Sequence, residues 1–397
     1  MTRIVVSGLG IVSPIGSDTQ SFWQALLAGH SIFGHASVLP EKGVRVAEVH
    51  DQGFMEGLGL SPSACDRNAL FAVAAARQAL SAAGLGAGLP HPERVGVILG
   101  NSAGGQCSTD DQYSRLYTQN KRPHPMTVAK VMVSSSASWV SIATGATGPC
   151  FVTSSACASS SHAIGTAMQF LRAGLADIVI AGGTEAPLSA GTLLAWDAMR
   201  IMSRTACRPF AAGRDGLMLA EGAGVIVLET EAHARSRGLE PTIEAAGFGF
   251  SADAGDIVAP NVDGMTRAMA LALADAGLDA GDLAYINAHG TGTRANDRAE
   301  TQALKRLFGD RPVPPASSIK GATGHALGAA GAFEAIATIM AIENRIAPPT
   351  ANFDAPDPEC DIDCVPNQAR PMPIPAAMSN SFAFGGLNTT LIFKALK

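Results

Sequence analysis

Charge and aromatic rings are scarce in this chain. Of its 397 residues 16% are charged and 5% aromatic, where an ordinary soluble domain carries about 25% charge. The 28 Lys and Arg residues are scattered and outnumbered by 34 Asp and Glu, for a formal net charge of −6. Without a basic run there is nothing to neutralise a phosphate backbone or an anionic lipid surface, so neither nucleic acid nor a membrane is an expected partner. No window reaches the roughly 18 apolar residues of a spanning helix; even Ala329–Ile342 carries Glu334. The seven cysteines (65, 107, 150, 157, 207, 360 and 364) are odd in number and include no C-x-x-C pair, which speaks against a disulfide framework and a zinc site. There is no H-E-x-x-H and no Walker motif, and no metal is expected. Gly8, Gly10, Pro14 and Gly16 interrupt the apolar stretch that a secretory signal needs. Ile4–Ser7 therefore reads as a buried strand, and a reducing cytoplasm is the expected compartment.

In place of charge the chain has 47% hydrophobic residues and 43 glycines. That excludes disorder and implies a large core of small aliphatic side chains packed across glycine-permitted contacts. At about 150 residues per domain, the length fits two to three domains or one composite fold. Short β-branched runs at Ile4–Ser7, Val95–Leu99, Phe151–Thr153, Ile178–Ala181, Val225–Leu228, Thr242–Ala246, Ala284–Asn287, Ser317–Ile319 and Thr390–Phe393 read as strands. They alternate with helical patterns such as Ala69–Ala82, Ala158–Leu171, Gly264–Ala276, Arg298–Phe308 and Ala329–Glu343. This alternation predicts an α/β layered fold with buried, largely parallel strands. The charged stretch Glu229–Pro241 reads as a seam between two halves, although no residue-level repeat joins them.

Several segments look chemical. Gly8-Leu9-Gly10 follows the first strand, but Ser13 stands where a dinucleotide fingerprint needs Gly or Ala, and the acidic residue about 20 positions on is missing. Gly100-Asn101-Ser102-Ala103-Gly104 matches a hydrolase elbow; the residues after it, Gly104–Thr109, are poor helix material, so a plain Gly-rich turn is the preferred reading. The strongest signal is Phe151–Cys157 running into Ala158–Met168: a strand, a turn of small residues, and Cys157 at a helix start. There the helix dipole and free N–H groups favour a thiolate and can hold an oxyanion. His289 and His325 lie just past two later strands, where an open α/β sheet gathers its reactive side chains. His162 reads as helical scaffolding beside the nucleophile. The turn Phe384-Gly385-Gly386 offers backbone N–H groups as further oxyanion donors.

These segments together resemble the β-ketoacyl-acyl carrier protein synthases of the I/II type, condensing enzymes of thiolase fold. The likeness runs the length of the chain and includes Arg208-Pro209-Phe210, Arg214-Asp215-Gly216, Glu221-Gly222-Ala223-Gly224, both histidine loops and Asn380–Asn388. It implies two related βαβαβ halves in an α-β-α-β-α arrangement, residues 1–240 carrying the nucleophile and 241–397 the histidines. It also implies roles. Cys157 takes the acyl chain, while His289 and His325 hold the malonyl thioester oxygen as CO₂ leaves. Lys320 and Glu334 support the site, and Phe384 gates it and completes the oxyanion hole with Cys157. Thr291 and Thr293 contact the phosphopantetheine arm, Gly385 is a further substrate-binding position, and Thr109, also substrate-binding, lies in the acyl-pocket and dimer-contact region. The implied partners are acyl carrier protein and a second subunit, as homodimer or as heterodimer with a chain-length factor; no cofactor beyond carrier-borne phosphopantetheine is implied. A chain-length factor itself, the non-catalytic alternative, would lack Cys157.

Departures from the housekeeping pattern point toward nodulation-type, aryl-polyene or type II polyketide synthases. The His289 loop reads His-Gly-Thr-Gly-Thr-Arg-Ala-Asn-Asp, Ala383 stands for Gly, Leu387 for Thr, and Ala220 for the Gly before Glu221.

Overall fold

The computed structural model describes residues 2–396. Ten strands form one sheet: β1 (Ile4–Val12), β2 (Val95–Gly100), β3 (Cys150–Thr153), β4 (Ile178–Glu185), β5 (Gly222–Thr230), β6 (Ile243–Ala252), β7 (Tyr285–Asn287), β8 (Ala316–Ser317), β9 (Ala376–Ala383) and β10 (Leu387–Ala395). Their spatial order is β8-β7-β9-β10-β6-β1-β5-β4-β2-β3. Read outward from the β1–β6 seam, each half repeats one plan: two antiparallel neighbours and then two parallel ones. The expected layering is present. Helices α2 (Ser159–Arg172) and α5 (Ala330–Asn344) touch strands of both halves and fill the middle. Helix α1 (Arg67–Ala82) covers the outer face of the first half, and α3 (Val262–Ala276) and α4 (Arg294–Phe308) cover that of the second.

The largely parallel sheet expected from the sequence needs correction: five of nine neighbouring pairs are antiparallel. Strands with helices on both faces are apolar throughout, so alternation cannot report their direction. The strand expected through Ile319 stops at Ser317. The stretch read as poor helix material is in fact the start of a helix over Gln106–Gln119. Tertiary contacts override propensity there: Asp66 Oδ2 accepts the Ser108 N–H at 2.9 Å, and the Gln106 amide donates to Ala103 O.

The repeated strand plan has a residue-level counterpart. A Cβ on Gly8 or Gly10 of β1 would lie 2.1 Å from the Ala79 carbonyl oxygen or 2.0 Å from that of Ala75, both in α1. In β6, a Cβ on Gly247 or Gly249 would lie 2.3 Å from the Ala272 oxygen or 2.1 Å from that of Ala268, in α3. The same Gly-x-Gly lets the same outer helix close onto the same strand in each half. This explains a motif that failed as a nucleotide site.

Gly10→Ala should therefore lower stability in urea unfolding by about 1–3 kcal/mol through forced displacement of α1. Gly34→Ala, where a Cβ meets nothing within 4 Å, should stay within about 0.5 kcal/mol; equal effects at the two positions would refute the close-packing account.

Candidate active site

Strand β3 ends at Thr153 and the chain turns sharply into α2, with Ala156 at φ +49° and Cys157 two residues before the first helical residue. The Ser159 hydroxyl accepts the Ser155 N–H at 2.9 Å and donates to Ala156 O at 2.7 Å, bracing the left-handed residue. Gly100 lets β2 pass beneath, since a Cβ there would meet the backbone of Ser159 and Ser160 at 2.3 Å. The result is a rigid elbow that presents a nearly buried thiol.

The two histidines converge on it. His325 Nε2 lies 3.0 Å from Cys157 Sγ, and the His289 and His325 rings meet edge to face with centroids 5.4 Å apart. Lys320 sits behind them, fully buried, paired with the equally buried Glu334 and 3.2 Å from His289 Nδ1. An ammonium has only donors, so Nδ1 must accept and the proton of a neutral His289 sits on Nε2. His325 Nδ1 has no partner among the described residues. Placing its proton on Nε2 leaves only a lone pair unpaired, the cheaper choice. Both rings then present N–H groups to the cavity.

Two buried carboxylates of α4, unremarked in the sequence, shape the His289 loop. Glu300 accepts the N–H groups of His289 and Gly290, each at 2.8 Å. Asp297 accepts those of Thr291 at 3.0 Å and Phe210 at 2.8 Å. The Thr291 and Thr293 hydroxyls bond each other at 2.9 Å. The His325 backbone is pinned between Met218 O and Ala220 N–H, so the variant Ala220 backs the second histidine directly. His162 bonds Ser155 at 2.7 Å, as scaffolding should.

A mainly apolar cavity of about 120 Å³ joins Cys157, His289, His325, Thr291, Thr293 and Phe384 with Ala383 and Trp196. The Trp196 ring is stacked on Phe384, 5.8 Å apart and 15° from parallel; nothing in the sequence pattern had marked Trp196. Two expected contacts are not brought together with the rest. Thr109 lies off the cavity with its hydroxyl bonded to Gly105 O, and Gly385 lies outside the lining, its N–H spent on Ile257 O. Ser102, the rival nucleophile, bonds the buried Glu185 at 2.5 Å and hydrogen-bonds no histidine among the described residues.

The first 234 residues match the family model "Beta-ketoacyl synthase, N-terminal domain", and residues 242–354 match the corresponding C-terminal domain. The chain belongs to the beta-ketoacyl synthase family. It is 43% identical to nodulation protein E of Rhizobium meliloti, over 99% of each chain. It is 39% identical to a 3-oxoacyl-[acyl-carrier-protein] synthase 2 of Synechocystis, over 99% of this chain and 98% of the other. A beta-ketoacyl synthase structure from Burkholderia phymatum superposes with TM-score 0.93 at 35% identity, covering both chains fully. The ishigamide ketosynthase/chain length factor does so with TM-score 0.94 at 30% identity, again with full coverage of both. The thiolase-type fold and the condensing, acyl-transferring activity anticipated from the resemblance thus hold for this ketosynthase.

Electrostatics correct one expectation. The helix start was expected to keep Cys157 as a thiolate, but burial pushes the thiol up to about 12 despite the opposing charge of Lys320 and the help of its own backbone N–H. The resting sulfur is protonated. Burial, reinforced by Lys320, holds both histidines well below 6.5, and His325 adds to the effect on His289. Depressed values mean that the neutral rings persist as pH falls past 6.5. Condensation kcat/KM should therefore change by no more than about twofold between pH 8 and pH 6. An acid limb with an apparent pKa near 6.5 would contradict the flat profile that neutral rings predict.

Proposed function

We propose that Cys157 accepts an acyl group from a carrier-protein thioester and that His289 and His325 stabilise the enolate of a decarboxylating malonyl thioester. The observation that carries this reading is the 3.0 Å approach of His325 Nε2 to Cys157 Sγ beside a second, Lys320-oriented imidazole. In the first half-reaction the C–S bond to the carrier breaks and one to Sγ forms. The thiol proton leaves with the departing pantetheine sulfur, and the His325 N–H favours charge on Sγ as it develops. In the second, the C–C bond to the malonyl carboxylate breaks and CO₂ departs. The electron pair passes to the thioester oxygen, held by two neutral N–H donors where a carboxylate would repel it. The carbanion then attacks the acyl carbon, a 3-oxoacyl thioester two carbons longer results, and Sγ leaves as a thiolate that takes one proton from solvent to restore the resting thiol.

During that attack the Cys157 and Phe384 N–H groups take the oxyanion. In the 384–386 turn the Gly385 and Gly386 amides are spent on Ile257 and Ala383, which leaves Phe384 without an acceptor among the described residues. Lys320 and Glu334 fix the His289 tautomer, and Thr291 and Thr293 receive the pantetheine arm. The nucleophile belongs to a half spanning residues 1–240 and the histidines to one spanning 241–397, a division favoured by the repeated strand plan.

The partner is an acyl carrier protein, as for the structurally similar AntDE:AntF complex, which pairs a type II polyketide carrier with its ketosynthase. Likeness to nodulation protein E supports a specialised chain over primary fatty acid synthesis. No helix among the described residues is long and apolar enough to cross a membrane, consistent with action in the cytoplasm.

Purified protein given acyl- and malonyl-carrier should release a 3-oxoacyl product, and Cys157→Ala should lower the yield by at least about 1000-fold. Cys157→Gln, which imitates the acylated sulfur, should still liberate CO₂ from malonyl-carrier. Unchanged condensation by the alanine variant would remove the sulfur from the mechanism; a glutamine variant that releases no CO₂ would separate decarboxylation from the histidines.

A further inference from the structure

Glu185 is wholly buried and has no part in the mechanism so far. Glu185, the last residue of β4, places Oε2 against three donors: the Ser102 N–H at 2.8 Å, the Ser102 hydroxyl at 2.5 Å and the Gly328 N–H at 3.0 Å. Its other oxygen has no partner among the described residues. Both segments held by Glu185 grip the nucleophile elbow. The Ser102 carbonyl accepts the Ser154 hydroxyl at 3.2 Å, and the Gly328 carbonyl accepts the Ser160 hydroxyl. Ser154 and Ser160 bracket Cys157 on either side. There is no slack: a Cβ on Gly328 would lie 2.6 Å from the Ser102 nitrogen, and one on Gly183 2.0 Å from Ser160 Oγ. The His325 backbone is secured separately, by Met218 and Ala220.

We infer that Glu185 is a positioning residue that sets the Cys157 elbow at bonding distance from His325 by tying the Ser102 and Gly328 turns to one oxygen. The inference rests on the reading of Cys157 as the acyl acceptor. Because every bond ends on Oε2, shape rather than charge is required. Burial pushes the Glu185 carboxyl up to about 7, so about half of it is uncharged at neutral pH, and a carboxamide with its oxygen in that place keeps all three bonds.

The test separates the half-reactions. Acylation of Cys157 by acyl-carrier is timed by intact mass, and CO₂ release is measured in the Cys157→Gln background, which needs the histidines but no sulfur. Glu185→Ala should slow acylation about 10- to 100-fold while altering CO₂ release less than about threefold. Glu185→Gln should bring acylation back to within about threefold of the parent. Parent-rate acylation by Glu185→Ala, equal losses in both half-reactions, or a glutamine variant that fails to rescue would each overturn the inference. A parent protein never acylated at Cys157 would instead overturn the functional reading, and this inference with it. If Glu185→Ala does not fold, Ser160→Ala, which removes only the hydroxyl on the Gly328 carbonyl, is held to the same selective loss of acylation.

Discussion

A buried ammonium governs this active site. Lys320 is almost wholly buried, and its charge is met by Glu334, the His289 ring nitrogen and the His289 carbonyl. Such a pair is expensive to desolvate, and losing one partner typically costs about 3–5 kcal/mol. It is therefore weak support for stability as such and is better understood by what it does to its neighbours. Lys320 turns His289 so that Nε2 carries the proton, and its field helps keep both imidazoles uncharged. Glu334 also receives the Ser381 hydroxyl, and Ser381 bonds Ser161 of α2, so the ion pair is wired to the helix that starts beside the nucleophile.

Around that charge the site is held by acceptors rather than by packing alone. Glu300 and Asp297 bind consecutive backbone N–H groups of the His289 loop, and Glu185 does the like for the turns beneath Cys157. A loop whose amides end on a buried carboxylate cannot shift without stranding either the amide or the carboxylate. The repeated strand plan positions these loops. Each half buries a helix against a Gly-x-Gly strand, and the middle helices bring the end of β3 opposite the ends of β7 and β8. Decarboxylative condensation needs that arrangement: a thiol from one half facing paired neutral donors from the other.

Much of this was readable from residue order. Cys157 after a strand and before a helix, and His289 and His325 after two later strands, marked three side chains that the fold brings together, because residues at strand ends leave a local pattern. The carboxylates that fix them left none. Glu300 and Asp297 look like polar residues on an ordinary helix, and only the fold shows their oxygens turned inward onto loop amides. Direction within the sheet was hidden because helices cover both faces. The helix at Gln106–Gln119 was hidden because its capping acceptor, Asp66, is distant in sequence. The protonated resting state of Cys157 reflects burial by both halves, which outweighs the local dipole that the sequence made visible.

The neutrality of the paired imidazoles is the claim on which the mechanism turns, and nitrogen-15 NMR of histidine-labelled protein reads it directly. At about pH 6, resonances assigned through His289 and His325 replacements should show the neutral ring with the proton on Nε2 at both positions. Imidazolium shifts at either histidine under those conditions would contradict the account.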